Sequence, residues 1–279
     1  MLAALLMRPD AVVSHELLLD GVCVAETPAS GHKVLASHVN PLRRALDASG
    51  TQPAESVIRS GKGWYRFVAD GVRLDTADLT ERDDGALRMK ASGDLAGATD
   101  QLSAALALFR GEPLVNLAGP FAQNERQRLL ERRRTLRLAS LECLVLLGRF
   151  GEALDDLGAP SASPSDPFDE SLLALRMRAL YGCERQAEAL NAYQETRVRL
   201  RDELGVDPGE ELRRVYEAVL RQDDAYLLRQ STSPPPCGSP AKPEIFTLKD
   251  SVGKSVNRLS GSGHAARVRR ARWETRVVP

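Results

Sequence analysis

The amino-acid sequence predicts a mainly α-helical protein. Its 279 residues are 43% apolar but only 5% aromatic, so the cores must be built mainly from Leu, Ala and Val, a composition that favours helices. Apolar residues recur at helical spacing near the start of the chain, and short segments repeat further along at the step of a helical hairpin. The length leaves room for about two domains.

Charge balance and cysteine spacing exclude several classes of protein. With 38 basic and 38 acidic residues the formal net charge is zero, so any basic binding surface must be local. The cysteines lie far apart without a C-x-x-C pair, which argues against a zinc ribbon, a redox motif or a disulfide framework. The opening run Met1–Met7 lacks a basic region and is too short to span a bilayer, so we expect a cytoplasmic protein with no membrane partner.

Neither a catalytic constellation nor a metal site can be named from the residue pattern. His15, His32 and His264 lack ligand spacing and are expected to be ordinary polar residues. The run "GKS" at 253–255 lacks the glycine that a phosphate-binding loop needs five residues before its Gly-Lys pair, where this chain has Leu248. We therefore expect no enzyme activity, no cofactor and no metal.

Short helices are predicted at the start of the chain. Ser14 is placed to cap a helix whose buried side would carry Leu17, Leu18 and Val22. A second helix should follow "ETPASG", and from about Gly31 its apolar residues fall at i, i+4, i+7 and i+11. These residues are Leu35, Val39, Leu42 and Leu46, and the opposite face carries Lys33, Ser37, Asn40 and Arg44.

A β-hairpin should follow the basic helix. The stretch "SVIRSGKGWYRFVADG" contains two β-prone runs, Ser56–Arg59 and Trp64–Val68, joined by a Ser-Gly-Lys-Gly turn. The order of helix, helix, basic helix and hairpin is that of a winged helix.

The middle of the chain shows internal repetition. The segments "LGRFGEAL" at 147–154 and "CERQAEAL" at 183–190 are offset by about 36 residues, near the 34 of tetratricopeptide hairpins. The segment "LAGATDQL" at 95–102 is a candidate third, degenerate copy. Small residues at such positions let two helices approach closely, which predicts a helical solenoid. The alternative is an irregular helical bundle in which the similarity of these segments is accidental.

Residues 95–227 closely resemble the bacterial transcriptional activator domain, the helical module of the actinobacterial antibiotic regulatory protein family. The resemblance includes the distinctive segments "DELGVDPGEEL" and "LRQDDAYL". Members of that family carry, before this module, an OmpR-type winged helix with a basic helix of pattern H-V-x-x-L-R-R-A-L and an aromatic G-Y wing. Here these appear as "HVNPLRRAL" at 38–46 and Gly63-Trp64-Tyr65.

The resemblance implies a DNA-binding, pathway-specific transcriptional activator of a secondary-metabolite (antibiotic) biosynthetic cluster. Its expected partners are direct repeats in double-stranded promoter DNA, a second protomer bound beside it as a homodimer, and RNA polymerase through its sigma subunit. We expect a winged helix over residues 1–75, the helical module over 76–230 and a disordered basic tail over 231–279. The complete fold expected is thus a partial winged helix-turn-helix, a tetratricopeptide-like solenoid and a disordered tail.

Duplex recognition needs a helix narrow enough for the major groove, with donors toward base edges and cations for phosphates. On the helix, Lys33, Ser37 and Asn40 are candidates for base or phosphate contacts, and the last-turn arginines for the backbone. The wing would reach adjoining backbone or the minor groove. His38 is equally compatible with the core and with the groove. The expected DNA-binding residues are Lys33, Ser37, His38, Asn40, Arg43, Arg44, Arg59, Lys62 and Arg66. The alternative is an ordinary solvated helix face.

Two features depart from the family pattern. The start "MLAALLMRPD" matches the interior of the family's first winged-helix helix, so either the start is misassigned or the domain is truncated. Pro41 removes one helical hydrogen bond, although Asn40-Pro41 is also a good N-cap and N1 pair from which a helix could restart. The alternative function is therefore a helical protein-interaction regulator that has lost specific DNA binding.

Overall fold

Helices dominate the fold, as the sequence predicts. The computed structural model describes residues 1–22, 31–52, 54–158 and 168–227, and of residues 22, 31 and 32 the backbone alone. All of these lie within one compact unit, Met1–Gln230. The predicted disordered tail, which begins at residue 231, lies outside the described residues.

The N-terminal part is a small winged helix. Its three strands form one antiparallel sheet in the order β1-β3-β2, and the strand β1 was not predicted. The hairpin is confirmed, with the first strand beginning two residues later than expected. The elements are α1 (Leu2–Leu6), β1 (Val13–Ser14), α2 (His15–Val22), α3 (Gly31–Leu46), β2 (Ile58–Gly61) and β3 (Trp64–Phe67).

The cap of α2 is confirmed, but its buried face differs from the prediction. The hydroxyl of Ser14 accepts a hydrogen bond from the backbone N–H of Leu17 at 3.2 Å. Leu18 is buried as expected, whereas Leu17 is 44% exposed and Leu19 is buried in its place. The prediction that Leu17 is buried is wrong, because the buried face of this short helix is centred on Leu18 and Leu19. The side chain of Val22 is outside the described residues.

The core of the winged helix draws on every one of its elements. Leu35 and Val39 of α3 are buried as predicted, Leu42 is partly buried, and Leu46 is exposed, so the apolar stripe fades toward the end of the helix. Leu5 of α1 is completely buried and packs in the same core. Burying a leucine side chain contributes about 1.5 to 3 kcal/mol, so α1 adds to the stability of this region.

The rest of the described chain is a series of helical hairpins, which confirms the predicted solenoid. Successive helices pair as α4 with α5, α6 with α7, α8 with α9, and α10 with α11, and a π-helical turn, Leu200–Leu204, continues α9. The helices are α4 (Asp75–Ala91), α5 (Leu95–Leu106), α6 (Pro120–Leu146), α7 (Phe150–Gly158), α8 (Glu170–Gly182), α9 (Gln186–Arg199), α10 (Glu210–Arg221) and α11 (Asp224–Leu227).

The same turn closes each of these four hairpins. One residue adopts a left-handed conformation, and the next residue donates its N–H to the carbonyl five positions earlier, which is the bond pattern of a Schellman motif. The left-handed residues are Gly93, Gly148, Glu184 and Gln222, with φ of 82°, 72°, 61° and 54°. The corresponding hydrogen bonds are Asp94 to Met89, Arg149 to Leu144 and Arg185 to Leu180, each 2.9 Å, and Asp223 to Ala218, 3.0 Å.

The repeated segments occupy equivalent places in the hairpins. Five residues after each left-handed residue stands a completely buried side chain, provided by Ala98, Ala153, Ala189 and Leu227. The degenerate copy predicted at 95–102 belongs to an equivalent hairpin, but the residues that match 147–154 and 183–190 are 92–99, three positions earlier. The hairpin of α10 and α11, which the sequence did not reveal, has Leu227 at the position that alanine occupies in the other three.

The winged helix rests on the long helix α6 of the solenoid. Both α1 and α2 contact α6, and Phe121, in its first turn, packs against the winged-helix core. A Cβ added to Gly21 would lie 3.0 Å from the Cβ of Phe121, so the approach of α2 to α6 leaves little room for a side chain there.

Candidate nucleic-acid interface

The helix α3 runs without interruption through Pro41. It extends from Gly31 to Leu46, so the proline neither ends the helix nor starts a new one. Proline lacks the N–H that would donate to the carbonyl of Ser37. Since Ser37 and Pro41 are both exposed, water can reach that carbonyl, and the missing bond lies on the solvent side of the helix.

One face of α3 presents a row of exposed polar side chains. Lys33, Ser37, Asn40 and Arg44 are all exposed at spacings of four, three and four residues, as predicted. His38 is exposed too, which places it away from the core. The hydroxyl of Ser37 donates to the carbonyl of Val34 at 2.7 Å, leaving the oxygen available as an acceptor.

Arg43 differs from its neighbour Arg44 in its surroundings. Its Nε and Nη2 atoms donate to the carbonyl of Ile58 at 2.9 and 2.6 Å, and Nη2 also donates to the hydroxyl of Ser60 at 3.0 Å. Arg44 is exposed and makes no hydrogen bond or ion pair with another described residue. Only one of the two adjacent arginines, Arg44, is therefore exposed to solvent.

The wing separates apolar from basic residues by strand alternation. Ile58, Tyr65 and Phe67 point into the core and are buried. Arg59 and Arg66 are directly opposite each other in the strand register on the other face. Like charges directly opposite across a sheet are destabilising, so this pair favours an anionic partner. Lys62 is exposed in the two-residue turn, next to Gly63 with φ of 83°.

A tryptophan supports the outer face of the wing. A Cβ at Gly61 would lie only 2.3 Å from the indole of Trp64. The ring therefore packs directly against Gly61 and leaves no room for a side chain there. The guanidinium carbon of Arg66 lies 6.0 Å from the centroid of the Trp64 ring, a cation–π distance. The Nε of Arg66 is buried without a hydrogen-bond partner in the described part of the chain.

The contacts of Trp64 and Ser60 were not predicted. Trp64 and Arg66 are two residues apart in one strand and therefore share a face, so the spacing was an available signal for the stacking. No local signal identifies Ser60 as a partner of Arg43, because the two lie 17 positions apart. The nine predicted site residues therefore divide into the four of the row on α3, the exposed His38 next to Ser37, the three wing cations, and Arg43 between helix and wing.

The acidic residue Asp47, beside this surface, has a structural role. The carboxylate of Asp47 accepts a hydrogen bond from the backbone N–H of Val57 at 2.9 Å, which fixes the start of the wing.

Across residues 1–22, 31–52, 54–158 and 168–227, His, Cys, Asp and Glu form no group that could hold a metal ion. In the same ranges no helix has the length and apolarity needed to cross a membrane.

Comparisons with known proteins identify the helical module. The profile of the bacterial transcriptional activator domain matches residues 74–220. Regulatory protein AfsR of Streptomyces coelicolor is 37% identical over 225 residues, which are 81% of this chain and 22% of that protein. Regulatory protein DnrI of Streptomyces peucetius is 33% identical over 224 residues, which are 78% of this chain and 82% of that protein.

A solved structure has the same architecture. The structure of Mycobacterium tuberculosis EmbR in complex with a low-affinity phosphopeptide matches with a TM-score of 0.72 at 28% identity. The match covers 79% of this chain and 58% of that chain. The chain thus spans about a quarter of the AfsR relatives (22% and 26%) and more than half of EmbR.

Proposed function

Since the chain belongs to the actinobacterial antibiotic regulatory protein family of transcriptional activators, we propose that it binds duplex promoter DNA through α3 and the wing. The family role is transcription regulation, and related proteins such as EmbR carry the name of transcriptional regulatory proteins. The proposal divides the chain into a DNA-binding domain over 1–75, an activator domain over 76–230 and a tail over 231–279.

The observation that carries the proposal is the exposed row on α3. Lys33, Ser37, Asn40 and Arg44 lie along one side of a single continuous helix, and no core contact or ion pair among the described residues accounts for them. A helix of this kind fits the major groove, where amide and guanidinium groups read base edges. The wing adds Arg59, Lys62 and Arg66, which can neutralise phosphates beside the helix.

The finer role follows from family membership. We propose that two protomers bind direct repeats side by side, and that the activator domain helps RNA polymerase engage through its sigma subunit. The target genes would belong to a biosynthetic cluster for a secondary metabolite such as an antibiotic. Such a protein acts in the cytoplasm, where the bacterial chromosome lies.

Fluorescence anisotropy with the full chain tests DNA binding. Fragments of the protein's own upstream region would be titrated at several salt concentrations against scrambled fragments of equal length. We expect a preference for one fragment together with a linear fall of log affinity with log salt. Arg44→Ala and Lys33→Ala should each lower the salt slope by about one unit if they contact phosphate, or cost about 1 to 3 kcal/mol at one site position if they contact a base.

A matched control lies on the solenoid. Arg221 is exposed on α10, far along the chain from α3, so Arg221→Ala should leave DNA binding unchanged. Equal affinity of the wild-type protein for every fragment would instead favour the second candidate, a protein-interaction regulator without specific DNA binding. The feature that favours this second candidate is Pro41, which puts a side chain without donors beside the row on α3.

A further inference from the structure

We propose that Arg43 acts as a positioning residue, which holds the wing in register with the recognition helix and so sets where the wing cations meet DNA. This inference rests on the proposed function, since it concerns how the same surface is assembled. It gives the adjacent residues Arg43 and Arg44 different roles.

The contacts of Arg43 join the last turn of α3 to the first strand of the hairpin. Its fork of donors spans Ile58 and Ser60, with distances of 2.9 and 2.6 Å to the Ile58 carbonyl and 3.0 Å to the Ser60 hydroxyl. Two donors on one carbonyl and a third on the next residue of the same face define both the position and the orientation of the strand. A lysine, with a single point charge, cannot reproduce this geometry.

The strand β2 has a free edge where Arg43 binds. In the sheet order β1-β3-β2, this strand is at the edge. The N–H of Val68 donates to the carbonyl of Val57 at 2.7 Å, and hydrogen-bonded pairs alternate along an antiparallel ladder. Ile58, the next residue, is therefore at a position whose carbonyl points away from β3. Arg43 satisfies this edge carbonyl, which lies beside a completely buried side chain.

The hydrogen bonds of Arg43 to Ile58 and Ser60 fix the spacing between the row on α3 and the wing. Arg59 follows Ile58 directly and Lys62 lies in the turn of the same hairpin, whereas Arg44 belongs to the row on α3. A rigid link between helix and strand holds these cations at one separation before DNA arrives. Such preorganisation improves affinity because less ordering is needed on binding.

Hydrogen exchange in the free protein, without DNA, tests whether Arg43 holds the wing in place. We expect Arg43→Gln and Arg43→Lys to lower the protection of amides in residues 56–68, since each removes the fork that holds the edge strand. Arg44→Gln is the matched control and should leave this protection unchanged. Circular dichroism of each variant checks that the solenoid stays folded. Unchanged wing protection in both Arg43 variants would overturn the inference.

A double-mutant cycle on DNA tests the consequence. We expect Arg43→Gln and Arg43→Lys to weaken binding to the preferred fragment by about tenfold, the loss expected for one hydrogen bond to a charged group. In a protein carrying Arg59→Gln, Lys62→Gln and Arg66→Gln, the same Arg43 substitutions should have little further effect, because the wing cations are gone. The loss from Arg44→Gln should persist in that background.

The opposite pattern would identify Arg43 as a direct phosphate contact. In that case Arg43→Lys keeps most of the affinity, Arg43→Gln lowers the salt slope by about one unit, and its effect adds to those of the wing substitutions. That result would overturn the inference. Equal binding of the wild-type protein to all fragments would instead overturn the proposed function, while the hydrogen-exchange measurement would still decide whether Arg43 holds the wing.

Discussion

Pro41 is the residue at which local propensity and structure disagree most clearly. A proline inside a helix costs about 3 kcal/mol relative to alanine, yet α3 is continuous on both sides of it. The cost of the proline is reduced because Pro41 and Ser37 are exposed, so water can reach the carbonyl of Ser37 that lacks its helical donor. The residue is therefore tolerated without being favourable.

Substituting Pro41 should stabilise α3 and strengthen DNA binding. We expect Pro41→Arg to raise the free energy of unfolding by about 1 to 3 kcal/mol, because it restores a donor to the carbonyl of Ser37. The added cation beside Asn40 and Arg44 should also tighten binding to the preferred fragment. Thermal melts and anisotropy titrations measure the two effects.

Pro41→Ala separates the two causes in this experiment. It restores the backbone donor without adding charge, so it should reproduce the gain in stability without the tighter binding that the added cation gives to Pro41→Arg. A drop in affinity for both variants would mean that the proline itself shapes the recognition helix as the protein needs it.

At the scale of elements, the four hairpin turns differ in the residue that occupies the left-handed position. Gly93 and Gly148 occupy the left-handed position in two turns, whereas Glu184 and Gln222 occupy it in the other two. A side chain in this conformation costs roughly 1 to 2 kcal/mol, a penalty that glycine avoids. The repeated Schellman bonds show that the turn keeps its geometry with either kind of residue.

Exchanging residues at this position should shift stability in opposite directions. We expect Glu184→Gly to raise the free energy of unfolding by about 0.5 to 1 kcal/mol, since the exposed side chain makes no hydrogen bond or ion pair with another described residue. Gly148→Ala should lower it by about 1 kcal/mol. Urea denaturation measures both, and a loss of stability in Glu184→Gly would show that the glutamate has a role that this structure does not reveal.

Two of the turns also carry the same ion pair. Arg149 donates from Nε to Glu152 at 2.6 Å, and Arg185 donates to Glu188 at 2.7 Å. These hydrogen bonds lower the pKa of each glutamate below its ordinary value of 4.5. Because the folded pKa is the lower one, the pairs stabilise the protein above pH 4.5 and lose their effect as the pH falls through the folded pKa.

The double variant Glu152→Gln with Glu188→Gln should therefore show a shallower loss of stability in acid. At neutral pH the change should be small, since both glutamate side chains are more than half exposed and their ion pairs are screened by solvent. Unfolding midpoints measured from pH 7 down to pH 3 give the comparison. An acid profile with the same slope as the wild-type protein would mean that other carboxylates account for it.

For the molecule as a whole, the contact between α2 and α6 joins the winged helix to the solenoid. We expect Gly21→Leu to lower the free energy of unfolding by about 1 to 3 kcal/mol, because its side chain would overlap Phe121. The winged helix should then lose hydrogen-exchange protection before the solenoid does.

Gly151 provides the control for this whole-molecule test. A Cβ added there meets nothing within 4 Å, so Gly151→Leu in α7 should change stability much less. If both leucine variants unfold like the wild-type protein, the packing of α2 on α6 does not couple the two parts.

Much of the fold was predictable because its signals are local. The stripe of Leu35 and Val39 predicted the buried face of α3, and the alternation around Trp64 predicted the wing. The repeated segments at 95–102, 147–154 and 183–190 predicted the hairpins, since each contains a buried alanine that lies five positions after a left-handed residue. The fourth hairpin escaped notice because Leu227 replaces the alanine of that pattern.

The sequence by itself determined that the chain is mainly helical, which face of α3 is polar, and which family the chain resembles, because these depend on periods and motifs of a few residues. Only the tertiary structure decided that Arg43 turns to the wing while Arg44 faces solvent, that Leu17 is exposed while Leu19 is buried, and that Gly21 meets Phe121. Each of these depends on which element lies opposite a side chain. Arg43 and Ile58 are 15 residues apart and Gly21 and Phe121 are further apart still, so folding brings them together and no short sequence pattern records the contact.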